Sequence, residues 1–272
     1  MKPSRVLAYH KVDERMEWGI TRSTPGQFRR HIAAIVDAGY RLVTLGEWFD
    51  HQQDESLVAL TFDDGYESVY QHALPILEQY DARATIFVIT NYIGTENTWD
   101  VNYGGLCFRH LREYQIREMA LAGHEFASHT HNHSILTRIS HAQLRRELAM
   151  SKNILESLTG SPVQFVAYPF ARYNGTVVQS AMRLGYQGGA IYMRACKGMP
   201  ASDTRLIYRQ GVYRTDSVRS VLSKLRPGPA FQWQRLKQNL INWAAGLTIF
   251  ILGNNDRQST TTYTDCMEQS EA

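Results

Sequence analysis

Leu57-Val-Ala-Leu-Thr-Phe-Asp-Asp-Gly-Tyr66 decides how the rest of the chain is read. A short apolar run rich in β-forming residues stops at two adjacent carboxylates and a glycine. A buried strand has this form when it delivers charge to a barrel mouth or a sheet edge. Neighbouring residues of an extended chain face opposite ways, so Asp63 and Asp64 are expected to have different tasks. Gly65 permits a sharp turn and a close backbone approach. Alone, the pattern is equally that of a strand entering an ordinary Asp-Gly turn. A second polar cluster, His129-Thr-His-Asn-His133, follows another short strand-like run and moves the balance toward a functional site.

Outward from this stretch, strands and helices alternate. Val6 to Tyr9 reads as a strand ending at His10. Thr24-Pro-Gly-Gln27 is a capping pattern that opens a helix closed by Gly39. Further strands are expected at Leu42–Leu45, Ala84–Thr90, Glu125–Ser128, Val163–Tyr168, Ala190–Met193 and Ile207–Tyr213. Helices are expected at about 67–80, 113–122 and 176–184. Ser140 opens another helix, which Gly160 closes, and Asp216 is expected to cap a last one running to Leu225. Between Asn91 and Arg109 lies a long loop carrying Tyr92, Trp99, Tyr103 and Phe108. Seven or eight such strand–helix units predict a parallel sheet closed into a barrel. Arg226-Pro-Gly-Pro229 punctuates its end. The expected organisation is a barrel over 1–226, an apolar helix over 227–253 and a polar tail over 254–272.

The 272 residues suit one α/β barrel, and 43% hydrophobic residues suffice for its core. A net charge of +3 without a dense basic stripe argues against nucleic acid as a partner. No run is long and apolar enough to span a bilayer, and the first residues lack an apolar leader core. Cys107, Cys196 and Cys266 are odd in number and scattered, as reduced thiols of a cytoplasmic protein would be.

His10, the Asp63–Asp64 pair and the His129/His133 pair each follow a different strand. In a parallel barrel all strand C-termini share one face, where active sites are built. Two imidazoles and one carboxylate suit a divalent cation with open positions. Asp64 is the natural carboxylate ligand, and Asp63 beside it the natural general base. His131, between the two ligand candidates, is expected to point away. His31, His51 and His72 read as surface residues, and His110 and His124 as non-ligands.

Thr61-Phe-Asp-Asp-Gly65 together with Ser128-His-Thr-His-Asn-His133 resembles the polysaccharide deacetylases, the carbohydrate esterases with a NodB homology domain, over roughly residues 1 to 215. Tyr9-His10 and Ala167-Tyr-Pro-Phe170 look nearest the branch acting on poly-N-acetylglucosamine. The resemblance implies a distorted (β/α)7 TIM-like barrel, here with a C-terminal helical extension. It implies Asp63 as base, Asp64, His129 and His133 as ligands, and the Phe170 N–H as an oxyanion donor. Tyr66, Tyr168, Pro169 and Arg172 would line the saccharide. The implied chemistry is metal-assisted removal of N-acetyl groups from an amino-sugar polymer or a lipid-linked glycan precursor. Zinc is the expected ion.

Two departures stand out. The family's groove motif often begins with an arginine paired to the base and continues with glycine after the aromatic. Here no arginine precedes Pro169, leaving Arg172 as the nearest replacement, and Ala171 stands in the glycine position. The family's late histidine, its general acid, also has no counterpart, since every histidine lies at or before His141. His10, His131 or a protonated Asp63 must then protonate the leaving amine. A weakly catalytic carbohydrate-binding protein on the same fold is one alternative. An amidohydrolase is another, although it needs further histidine ligands late in the chain. For residues 231–252, an apolar run preceded by Arg219, Lys224, Arg226, Arg235 and Lys237, three expectations stand. It could dock on the barrel, join an oligomer or lie on a membrane surface at the inner leaflet.

Overall fold

The protein is described by a computed structural model covering residues 4–17, 19–98, 107–192 and 206–252, with 242–252 as backbone alone. The strands are β1 (Val6–Tyr9), β2 (Lys11–Val12), β3 (Arg22–Ser23), β4 (Arg41–Val43), β5 (Leu57–Phe62), β6 (Thr85–Val88), β7 (Glu125–Ser128), β8 (Phe165–Ala167), β9 (Gly188–Tyr192) and β10 (Leu206–Gly211). The helices are α1 (Pro25–Asp37), α2 (Leu45–Asp50), α3 (Leu74–Gln79), α4 (Glu113–Leu121), α5 (His141–Thr159), α6 (Gly175–Arg183), α7 (Val218–Leu225) and α8 (Pro229–Leu252).

β5 to β10 run parallel in sequence order, and β1 closes the ring by pairing with both β10 and β5. The result is the expected seven-stranded barrel. It is distorted at its base, where β4 pairs with the first half of β5 and β6 pairs only with the second. Strand alternation sorts the side chains into two layers. Val6, Ala59, Phe87, Ala127, Phe165, Ala167, Ala190 and Ile207, drawn from all seven barrel strands, fill the interior, and Leu45 of α2 joins them. Leu7, Leu60, Phe62, Ile86 and Val166 face outward into the larger core formed with the helices. Each fully buried side chain of this size contributes about 1.5–3 kcal/mol.

Local chemistry sets the helix ends. Thr24 and Ser140 accept hydrogen bonds from the Gln27 and Gln143 N–H groups, and Gly160 closes α5 in the left-handed conformation. The helix expected at 67–80 begins with a wide π-helical turn, Val69–Ala73, before α3. Pro75 supplies the reason: it lacks an N–H, and its ring crowds the preceding turn.

Several expectations are corrected. Thr44 caps α2, so Leu45 starts a helix rather than ending a strand. Ser217 caps α7, while Asp216 lies buried against Lys224 and Lys237. His31 is buried rather than superficial, between the Tyr9 hydroxyl and the Asp216 carbonyl. Cys107 is disulfide-bonded, so the chain does not carry three reduced thiols. Trp99, Tyr103 and the 254–272 tail lie outside the described residues.

Candidate metal centre

The centre is assembled at the C-terminal ends of the barrel strands. β5 ends at Phe62, and Asp63, in phase with the inward Ala59 and Thr61, projects into the mouth. Asp64 then adopts φ 71° and Gly65 φ 71°. A Cβ on Gly65 would lie 3.3 Å from the Val88 Cα, so both the backbone angle and the space require glycine.

After β7 the chain turns through Thr130 (φ 67°) and His133 (φ 59°), both in the left-handed region. That conformation is costly for a β-branched residue, and such strain clusters at functional sites. Here Glu147 of α5 holds it in place. Its Oε2 accepts from the His131 and Asn132 N–H groups at 3.1 and 2.8 Å. Its Oε1 accepts from Asn132 Nδ2 at 2.6 Å and Ser134 Oγ at 3.2 Å.

Asp64, His129 and His133 are all buried, with potential ligand atoms within 4.8 Å of one another. Asp64 Oδ1 lies 3.4 Å from His129 Nε2 and 3.9 Å from His133 Nε2. Donors about 2.1 Å from one tetrahedral ion would stand roughly 3.4 Å apart, so the set fits a single divalent cation and leaves a position open. His129 Nδ1 lies 2.9 Å from the Ala167 carbonyl. It donates there, which turns Nε2 toward Asp64. Burial would lower this imidazole, but the Asp64 contact and the Asp63 and Asp64 charges raise it above its ordinary value. The neutral tautomer with a bare Nε2 is the one a ligand needs. His131 turns away, with Nδ1 2.9 Å from the Thr90 hydroxyl.

The partner of Asp63 is not Arg172. Arg209 of β10 donates Nη1 to Oδ1 at 2.6 Å and Nη2 to Oδ2 at 2.9 Å, and its guanidinium lies between the Phe87 and Tyr192 rings. Burial would raise the Asp63 carboxyl, but the Arg209 charge, aided by His129 and His10, holds it below its ordinary value. The Tyr192 hydroxyl donates to Asp63 Oδ2 at 2.7 Å and lies 3.3 Å from His10 Nε2. Burial pushes that phenol well above its ordinary value, so it remains a donor. His10, Tyr192 and Arg209 all share the inward phase of their strands with Val6, Ala190 and Ile207. That phase was the available signal for Arg209 and Tyr192, which were not singled out in the sequence.

At the β8 end, Phe170 (φ 56°) and Ala171 (φ 51°) are both left-handed. This explains why glycine suits the second position. No hydrogen bond among the described residues takes the Phe170 N–H. Its ring packs on His133, with centroids 4.6 Å apart, and is 38% exposed. Tyr66 stacks on His110, while Tyr168 stacks on Tyr173 and fills the space a Cβ on Gly189 would occupy. Both tyrosines are buried, as is Pro169, and Arg172 is half-buried.

The polysaccharide deacetylase family model matches residues 50–189, which contain the Asp63–Asp64 pair, His129, His133 and Phe170. The chain belongs to the polysaccharide deacetylase family. YxkH of Bacillus subtilis, grouped by its name with the polysaccharide deacetylases, is 32% identical over 69% of this chain and 64% of its own. The poly-β-1,6-N-acetyl-D-glucosamine N-deacetylase of Staphylococcus aureus is 27% identical over 60% of this chain and 58% of its own. The chain thus spans less than two thirds of these curated relatives. The Streptococcus pyogenes deacetylase PplD, solved with acetate, superposes with TM-score 0.71 at 27% identity, covering 83% of this chain and 98% of that one. The arginine paired with Asp63 in this chain comes from β10 rather than from the β8 segment.

Proposed function

We propose that the protein hydrolyses N-acetyl groups from the amino sugars of a polysaccharide or oligosaccharide, using one divalent cation. The observation that carries this reading is a carboxylate base, Asp63, clamped by Arg209 immediately beside a buried two-histidine, one-carboxylate donor set. The family match, a relative named for N-deacetylation of poly-N-acetylglucosamine and another solved with acetate support it.

Asp64, His129 and His133 would hold the ion, and zinc suits two imidazoles and a carboxylate with an open site. Such an ion, when bound, supplies Lewis-acid polarisation and lowers the pKa of a coordinated water. The chain's own residues do the rest. Arg209 and Tyr192 occupy three of the roughly four lone-pair directions of the Asp63 carboxylate, leaving one to accept a proton from the attacking water. Arg209 cannot lose its proton, so it positions Asp63 and keeps it ionised. The Phe170 N–H is available to the oxyanion.

His10, with Nε2 4.0 Å from Asp63 Oδ2, lies at the mouth and would protonate the leaving amine. His131, bonded toward Thr90, suits that role less well. Tyr168 and Pro169 would shape the groove from behind Phe170, Tyr66 from behind Asp64, and Arg172 would meet the saccharide.

Arg209 also removes one of the two grounds for a pure binding protein, the missing groove arginine, and leaves the other, the missing late histidine. Acetate release should be assayed with the metal-loaded protein on N-acetylated β-1,6-glucosamine oligomers, chitin oligomers and lipid-linked N-acetylated glycans. Release from at least one supports the reading and ranks the substrates. Tight oligomer binding without release would favour the binding protein instead.

A further inference from the structure

α8 has two faces with different fates. Phe231, Gln234 and Gln238, spaced by three and four residues, are buried against the barrel. Lys237 donates to Asp216 at 2.6 Å. The Gln238 amide accepts from the Gly211 N–H and donates to the Arg209 carbonyl, both at 3.3 Å. Tyr192, the last residue of β9, pairs in register with Arg209, so Gln238 extends the ladder where β9 ends. The helix is therefore fastened to the strand that orients the base.

About 200° around the helix from that anchored stripe lies a second one with the same spacing. Trp233, Leu236 and Leu240 are 64%, 49% and 59% exposed. The helix backbone continues to Leu252, and no charged residue occurs between Lys237 and Asp256. No acidic residue occurs anywhere from 217 to 255. Lys224 and Lys237 both pair with Asp216, which offsets one of their two charges, whereas Arg219 and Arg226 are exposed and Arg235 is half-buried beside Gln232. No helix among the described residues is long and apolar enough to cross a membrane.

We propose that this face of α8 seats the protein on the surface of an anionic lipid bilayer. Trp233, Leu236 and Leu240 would enter the headgroup–acyl boundary, and the exposed Arg219 and Arg226 would meet phosphate groups. A second copy of the chain fits less well. Two such faces would bring like charges together with no acidic residue on either side to answer them.

The test is co-sedimentation of the full chain with phosphatidylcholine vesicles and with vesicles that also contain phosphatidylglycerol. The wild type should sediment with the anionic vesicles and progressively less as salt rises. Trp233→Ser/Leu236→Ser/Leu240→Ser should weaken that binding by about tenfold or more, with an unchanged melting temperature. Arg219→Gln/Arg226→Gln should weaken it on anionic vesicles only. Equal sedimentation of wild type and the triple-serine variant, or none for either, would overturn the proposal. So would a concentration-dependent dimer, seen by light scattering and abolished by the triple substitution, without vesicle binding.

Discussion

The two arginines near the mouth give opposite expectations. Arg209 holds Asp63, the proposed base, from inside the barrel, so Arg209→Met should reduce kcat sharply. It should also destabilise the fold by about 3–5 kcal/mol, because Asp63 is left buried and unpaired. Lysine should restore little, since it cannot reproduce the two-pronged contact. Arg172→Ala should leave kcat near wild type and act, if at all, on KM. Steady-state kinetics with a denaturant melt separates the two. At the groove, Ala171→Gly should relieve a left-handed alanine. A gain of up to about 1 kcal/mol is expected once the extra freedom of the unfolded chain is counted. A loss of stability on denaturant titration would contradict that account.

At the scale of elements, the loop after β7 is only as good as its tether to α5. Glu147→Ala removes the acceptor of four hydrogen bonds from residues 131–134. Zinc affinity, measured by competition with a chelator, should fall by about 10–100-fold, and Glu147→Gln should lie between the two. An unchanged affinity would show that the strained loop holds itself. Nothing in the sequence pointed to this tether, because a glutamate facing inward on an amphipathic helix looks like any other until the neighbouring loop is placed. The grouping of Asp64, His129 and His133 was legible from their placement after strands and from motif spacing, and the structure brings their potential ligand atoms within 4.8 Å of one another. Arg209 is not visible from the groove motif, because it lies on a different strand, although the alternation of β10 sends it inward. Asp216 misled for a different reason: an acidic residue ahead of a helix usually caps it, but two lysines drew this one into the interior.

For the whole molecule, buried neutral histidines tie the barrel to pH. Burial lowers His31 and His124 from 6.5 to about 4. The unfolded chain therefore binds more protons than the folded one between these values. Stability is fully present above pH 6.5 and falls as pH drops toward 4, by on the order of 3 kcal/mol per histidine. Urea titrations at pH 7 and pH 5 should show this loss, and His124→Gln should flatten it. A pH-independent midpoint would contradict the assignment. Barrel closure was readable from the alternation of strands and helices. The splayed base, with β4 beside only half of β5, was not, because it depends on which strands meet across the ring.

The most direct measurement pairs metal content with turnover in Asp63→Asn. The substitution removes the proton acceptor while leaving Asp64, His129 and His133 in place. The account predicts the same zinc stoichiometry as wild type by elemental analysis, with acetate release slower by about 10²–10⁴-fold. Release within a few-fold of wild type by a metal-loaded Asp63→Asn protein would contradict it.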